Sequence, residues 1–256
     1  MGKKSTPVLL IILLRRALAG LAVCALLPAC PATPSSNAKP DEDYVKAAWA
    51  YFKHKCDTEA GEKIYKTFTG VKSVLVVKPL PPATEKDLYD QFWMGDPYSN
   101  ATPYDKRGDD AARRLANDSR SLDGTIQRAL EFVEIKAEVG NGYVRIHKAK
   151  SNVENSVREQ VNFPVSKFGV IWEDISRPED RKYWVAASRL RVINLVDNLT
   201  IAERTGFFIE AGFGSTSGQR RPWLTSRGPG TTCPVVAGDY TDQRFISRVF
   251  ELNKGY

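Results

Sequence analysis

Apolar and polar positions change period along the chain, and the changes mark its elements. Val45, Ala48, Phe52 and Cys56 fall three or four residues apart, with Asp41, Glu42 and Asp43 before them and Lys53, His54 and Lys55 near the end. Acids at the start and bases at the end suit the helix dipole, so the spacing predicts a helix over 41–55. Its stripe should lie on a core and deliver Cys56 to it. Stretches 63–68 and 71–78 read as strands about Gly70, stopped by Pro79, Pro81 and Pro82, and 84–92 as a short helix. Residues 94–124 are polar and hold two prolines, which predicts a long surface excursion with at most one helix, in DDAARRLAND.

From Ala129 the period becomes two. Val133, Ile135 and Ala137 alternate with Glu134, Lys136 and Glu138, and Gly140, Asn141 and Gly142 turn the chain into 143–148, the pattern of a hairpin. A second set follows: a strand over 168–175, a charged corner at 177–182, a strand over 190–196, and a return through Asp197 and Asn198 into 199–209. Phe245, Ile246, Val249 and Phe250 place a helix at 242–252. The predicted fold is α+β: a single domain over 41–256, with an antiparallel sheet of hairpins covered by N- and C-terminal helices. No repeat is visible.

Before that domain the pattern is different in kind. The first 29 residues hold Lys3, Lys4, Arg15 and Arg16, no acid, and an uncharged run from Ala17 to Leu27. A basic start, an apolar middle and small residues at the end form the order of a secretory signal. Arg15 and Arg16 divide the apolar residues into two short runs. Neither run reaches the roughly 20 residues of a membrane-spanning helix, so a permanent span is the weaker reading. The arginine pair also suggests twin-arginine export, although its flanks match that signal poorly. Leu27, Pro28, Ala29 and Cys30 resemble a bacterial lipobox, which predicts lipid on Cys30; the alternative is ordinary cleavage near Ala29 or Ala32, leaving a free thiol. Residues 30–40 then read as a flexible linker rich in Pro, Ser and Ala, and Pro31 after the cysteine suits lipoproteins sent to the outer membrane. The expected location is the bacterial envelope, facing the periplasm, with a soluble periplasmic form as the alternative.

Removing the export segment changes two further readings. The whole chain carries 37 basic and 30 acidic residues, +7; four of the basic ones leave with residues 1–29, so 33 remain against 30, or +3. A nucleic-acid partner loses most of its support. Of the four cysteines, Cys24 and Cys30 fall before the domain, leaving Cys56 and Cys233. In an exported chain two cysteines suit one disulfide, here between the start and end of the domain; two buried reduced thiols are the alternative.

The segments CDTEAGEKIYKTFTGV (56–71) and DISRPEDRKYWVAASRLRVINLVDNLTIAERTGFF (174–208), with Cys233 and Pro234, resemble a group of uncharacterised predicted lipoproteins from proteobacteria. The group has no assigned activity, so the resemblance implies no catalytic residue. It does put Cys56 and Cys233 in matching segments, which fits the disulfide.

No motif calls for a cofactor or a metal. His54 and His147 lack partners at ligand spacing and read as surface positions. GFGSTSG (212–218) imitates a phosphate loop but lacks the lysine and the strand-to-helix context. Within the Gly- and Pro-rich stretch 212–238, Arg220, Arg221 and Trp223 form a possible ligand or partner patch, because guanidinium groups beside an indole can hold an anionic or planar group. The competing reading has Trp223 filling the core edge. Tyr89, Phe92, Trp93, Tyr98 and Tyr104 suit glycan stacking or simple packing. Glu173, Asp174, Glu179 and Asp180 read as a charged corner. Together these features predict an exported envelope lipoprotein acting as a non-enzymatic binding or interaction module, with the membrane and an envelope protein or glycan as partners. The alternative is an envelope hydrolase acting on peptidoglycan or another glycan.

Overall fold

Asp41 starts the first helix as the sequence suggests: its carboxylate accepts from the Asp43 amide at 2.8 Å, and Glu42 and Asp43 occupy the first turn. This helix, α1, runs Glu42–Thr58, one turn beyond the expected end. The structure is a computed structural model and describes residues 40–79, 83–93, 112–120, 126–149, 156–225, 230–234 and 242–252. The export segment, Cys30, nearly all of the linker, Tyr98, Tyr104 and much of the polar excursion lie outside these residues. All the described residues belong to one compact unit, Ser36–Tyr256.

The strands are β1 (Gly61–Ile64), β2 (Ser73–Lys78), a short pair β3 (Ser119–Arg120) and β4 (Ile126–Gln127), β5 (Phe132–Lys136), β6 (Tyr143–His147), β7 (Arg158–Val161), β8 (Phe168–Asp174), β9 (Val185–Asn194), β10 (Thr200–Ile209) and β11 (Thr232–Cys233). The remaining helices are α2 (Pro178–Lys182), α3 (Pro222–Thr225) and α4 (Asp242–Val249). Nine strands form one mixed sheet in the order β1-β10-β9-β8-β2-β5-β6-β7, with β11 beside β10.

The sheet is mostly antiparallel, and β2 departs from the expected run of hairpins: it pairs parallel with both β5 and β8. A parallel neighbour needs a crossover of a dozen residues or more, and the chain between Lys78 and Phe132 provides that length. The segment read from sequence only as an excursion therefore also serves the topology. Strands β1 and β2, adjacent in sequence, are separated by three others, and β7 was not anticipated at all. Its REQV sequence is charged and exposed because it closes an edge, where charge discourages pairing with another chain.

Strand register sorts the side chains onto two faces. One face carries Val74, Val133, Ile146, Val170, Val192 and Ala202, buried in one cluster with Phe245, Ile246 and Val249 of α4 and with Ala112, Leu115 and Ala116 of a helical turn at 112–115. The other face is divided. Val185, Ala187, Phe207 and Ile209 pack with Ala48 and Phe52 of α1 and with Cys233. Beyond α1, the same face is polar. Arg191 holds Glu173 through two hydrogen bonds of 2.9 Å, and Arg145 holds Glu134 at 2.9 Å. The divide between the apolar and charged parts of this face is where the candidate site lies.

Candidate functional site

At the last turn of α1 the apolar cover stops and a cavity of about 270 Å³ opens over β1, β9 and β10. Its floor includes Ile175 and Phe207, and its walls come from five elements. Thr58 and Glu59 enter from the end of α1, Arg177 and Asp180 from the start of α2, and Arg189 projects from β9 opposite Thr205 of β10. Glu203 of β10 faces Lys63 of β1 across the next pair on that side. Cross-strand neighbours on one face are close enough to act together, so the register alone sets Lys63, Glu203, Thr205 and Arg189 side by side.

The three carboxylates are already engaged. Asp180, only 1% exposed, accepts from the Tyr51 hydroxyl at 2.7 Å and the Arg177 amide at 2.6 Å, with Lys55 Nζ at 3.6 Å. Glu59 lies between Lys55 at 2.7 Å and Arg177 at 2.9 Å. Glu203 accepts from the Tyr65 hydroxyl at 2.7 Å and is 3.7 Å from Lys63. Burial, together with the bond to Asp180, pushes the Tyr51 phenol well above the usual tyrosine value, so it stays a donor through neutral pH. Lys55, itself buried, sits over the rings of Tyr51 and Phe207 at 5.5 and 5.8 Å.

Arg189 is the exception. Its Nε is buried without a hydrogen-bond partner, and among the described residues the side chain makes no ion pair. The lining itself is balanced, with Lys63, Arg177 and Arg189 against Glu59, Asp180 and Glu203; the buried Lys55 beneath it, paired with Glu59 and Asp180, adds one positive charge. The arrangement can therefore hold one anionic group against a guanidinium, with Thr205 as a hydroxyl partner and an apolar floor; the Thr58 hydroxyl is spent on the His54 carbonyl at 2.7 Å. The sequence reading missed Arg189, although a signal was present. Period two puts it on the same face as Arg191 and Glu203, while the distant Arg177 and Glu59 reach it only through the fold.

The residues singled out from sequence are placed differently. Trp223 is 6% exposed; its ring lies 5.3 Å from that of Trp184, 6.2 Å from Phe208 and 4.9 Å from the Arg181 guanidinium, and its Nε1 donates to the Asp90 carbonyl at 2.5 Å. Arg220 is paired with the fully buried Glu210 and donates to the Ser215 carbonyl. Arg221, 45% exposed, pairs with Glu85 at 3.1 Å. The three do not converge on one open surface. Glu210 also explains the glycine-rich loop: its carboxylate accepts from the amides of Gly212 and Gly214 at 2.9 and 2.6 Å, the groups a phosphate would need. Gly214 has φ +80° and lies against the Trp184 ring, where no side chain would fit.

Of the aromatic group, Tyr89 and Phe92 are exposed, whereas Trp93 packs with Ala83, Leu88 and Leu224. Glu173 and Asp174 are taken up by Arg191 and by Ser176 with Arg181. His147 sits 3.2 Å from Glu159 on the polar face, and His54 is exposed on α1. A second hollow, of about 310 Å³, lies at the β5–β6 hairpin, where Val139 is almost fully exposed; its walls gather no comparable set of donors.

Cys56 and Cys233 form a disulfide that ties the last turn of α1 to β11, beside this cavity. Among the described residues no group of three metal-ligating side chains occurs, and no helix is long and apolar enough to cross a membrane. No protein-family model matches this chain, and no curated protein or solved structure matches it either.

Proposed function

We propose that this chain is an exported envelope lipoprotein, anchored through Cys30, whose globular domain is a non-enzymatic binding module working through the cavity at Arg189. The observation that carries the binding reading is the uncommitted guanidinium: Arg189 lines a cavity in which every carboxylate has internal partners and it has none among the described residues. A half-buried cation costs desolvation energy, and a ligand that offsets that cost is favoured. The basic and apolar order of residues 1–29 and the linker after Cys30 support export and tethering. The disulfide suits an oxidising compartment. The terminal helices, on this reading, seal the two faces of the sheet and leave only the charged part of one face open.

Replacing Cys30 with serine is expected to move the protein from the membrane pellet to the soluble fraction; an unmodified parent chain already free in solution would contradict the anchor. The hydrolase reading keeps one observation in its favour, the three carboxylates around the cavity. Paired carboxylates are the apparatus of glycoside hydrolysis. Isolated cell-wall sacculi incubated with the full chain separate the two readings: the binding module releases no soluble fragments, and the hydrolase does.

A further inference from the structure

We propose that the Arg189 cavity is a carboxylate-binding site, taking a singly charged acid such as the free end of a peptide. This rests on the reading of the domain as a binding module and names the chemistry of what it binds. Arg189 presents a planar fork of donors, the shape that matches a carboxylate by two parallel hydrogen bonds. Arg189 lines the cavity with its Nε buried and without a partner, and Arg177 lines the same space with one of its nitrogens on Glu59.

The charge of the walls selects among anions. Lys55 pairs with both Glu59 and Asp180 from beneath, which leaves Arg189 without a carboxylate of its own, so one negative charge completes the site. A second would be held against Glu59 and Glu203, which already face the same space. A monoanionic carboxylate therefore fits where a phosphate dianion is repelled. Thr205 offers a hydroxyl group to a neighbouring amide or hydroxyl of the ligand, Thr58 Oγ1, whose proton goes to the His54 carbonyl, can accept from one, and Phe207 and Ile175 offer an apolar surface to its side chain. At about 270 Å³ the space suits one residue-sized group rather than a long chain.

Isothermal titration of the full chain in detergent tests this with three probes: N-acetylalanine, its amide, and inorganic phosphate. The site predicts saturable binding of the acid, none of the neutral amide, and weaker binding of phosphate. Arg189→Gln should weaken the acid at least about tenfold, and Arg189→Lys should recover only part of the loss, because an ammonium keeps the charge without the fork. Arg177→Gln, at a side chain 59% exposed and so remote from folding, should weaken it several-fold. A cooperative thermal transition and a parent-like far-ultraviolet circular dichroism spectrum report that each variant is folded. Equal binding of acid and amide, unchanged binding in Arg189→Gln, or tighter binding of phosphate would each overturn the proposal. Sacculus hydrolysis alongside intact acid binding would sink the non-enzymatic reading and leave this site standing. No acid binding and no hydrolysis would do the reverse.

Discussion

Glu134→Ala is expected to destabilise the protein by about 3–5 kcal/mol, the range for breaking a buried, hydrogen-bonded ion pair. Glu134 projects from β5 on the polar face yet is 0% exposed, because the segment before β8 crosses over it. Its carboxylate accepts from Arg145 Nε at 2.9 Å, the Ser166 hydroxyl at 2.6 Å, and the amides of Val165 and Ser166 at 3.0 and 2.9 Å. Alanine leaves these donors without a partner, and each buried unsatisfied group costs about 1–3 kcal/mol. Urea unfolding at pH 7 measures the loss, and a cost below about 1 kcal/mol would contradict the assignment. The same residue sets a pH dependence. Burial alone would raise its pKa, but the bonds from Ser166, Arg145 and Val165 outweigh burial and hold it below the ordinary glutamate value of 4.5. A depressed folded value means the stabilisation is fully present above 4.5 and is lost as pH falls through the folded value. The stability gap between the parent and Glu134→Gln should therefore be constant from pH 7 to about 5.5 and shrink below 4.5.

Removing the disulfide, as Cys56→Ala with Cys233→Ala, is expected to cost about 2–5 kcal/mol. The bridge closes a sequence separation of 177 residues, for which chain entropy alone gives about 5 kcal/mol. Structure retained in the unfolded chain reduces that figure. The effect should also be local. Cys56 is in the last turn of α1 and Cys233 pairs with Phe207, so the bridge seats α1 on Val185, Ala187 and Ile209 and holds Thr58 and Glu59 at the cavity. Thermal unfolding with and without reductant, read beside hydrogen exchange in α1, checks both parts. Equal midpoints and unchanged exchange would show that α1 is held by its apolar contacts alone.

Local periodicity made the secondary structure readable where one face of an element is apolar and the other wet. The hairpin of β5 and β6 is present with Val133 opposite Ile146 and Ile135 opposite Val144, and α1 begins at the acids that marked it. The short helix α2 was read only as a corner, since PEDRK has no apolar stripe and is held by its contacts with Arg177 and Tyr51. Parallel pairing of β2 was invisible because no short-range pattern reports which distant strands will flank a segment. The buried charges were hidden for a related reason. Alternation assigns Glu134 to the polar face, but whether another segment then crosses that face is decided by topology. Lys55 looked like a helix-end cation and Asp180 like a corner acid, yet they meet beneath the cavity because α1 and α2 converge there. Arg189 follows the same rule: its face was legible, its isolation was not.

The most direct test of this account is the intact mass of the full-length protein recovered from the membrane fraction, measured before and after reduction. A tethered chain begins at Cys30, carries a diacylglycerol adduct on that residue, and gains two hydrogen atoms (two electrons and two protons) on reduction as the Cys56–Cys233 bridge opens. A soluble chain with an unmodified Cys30, or one whose mass does not change on reduction, would contradict it.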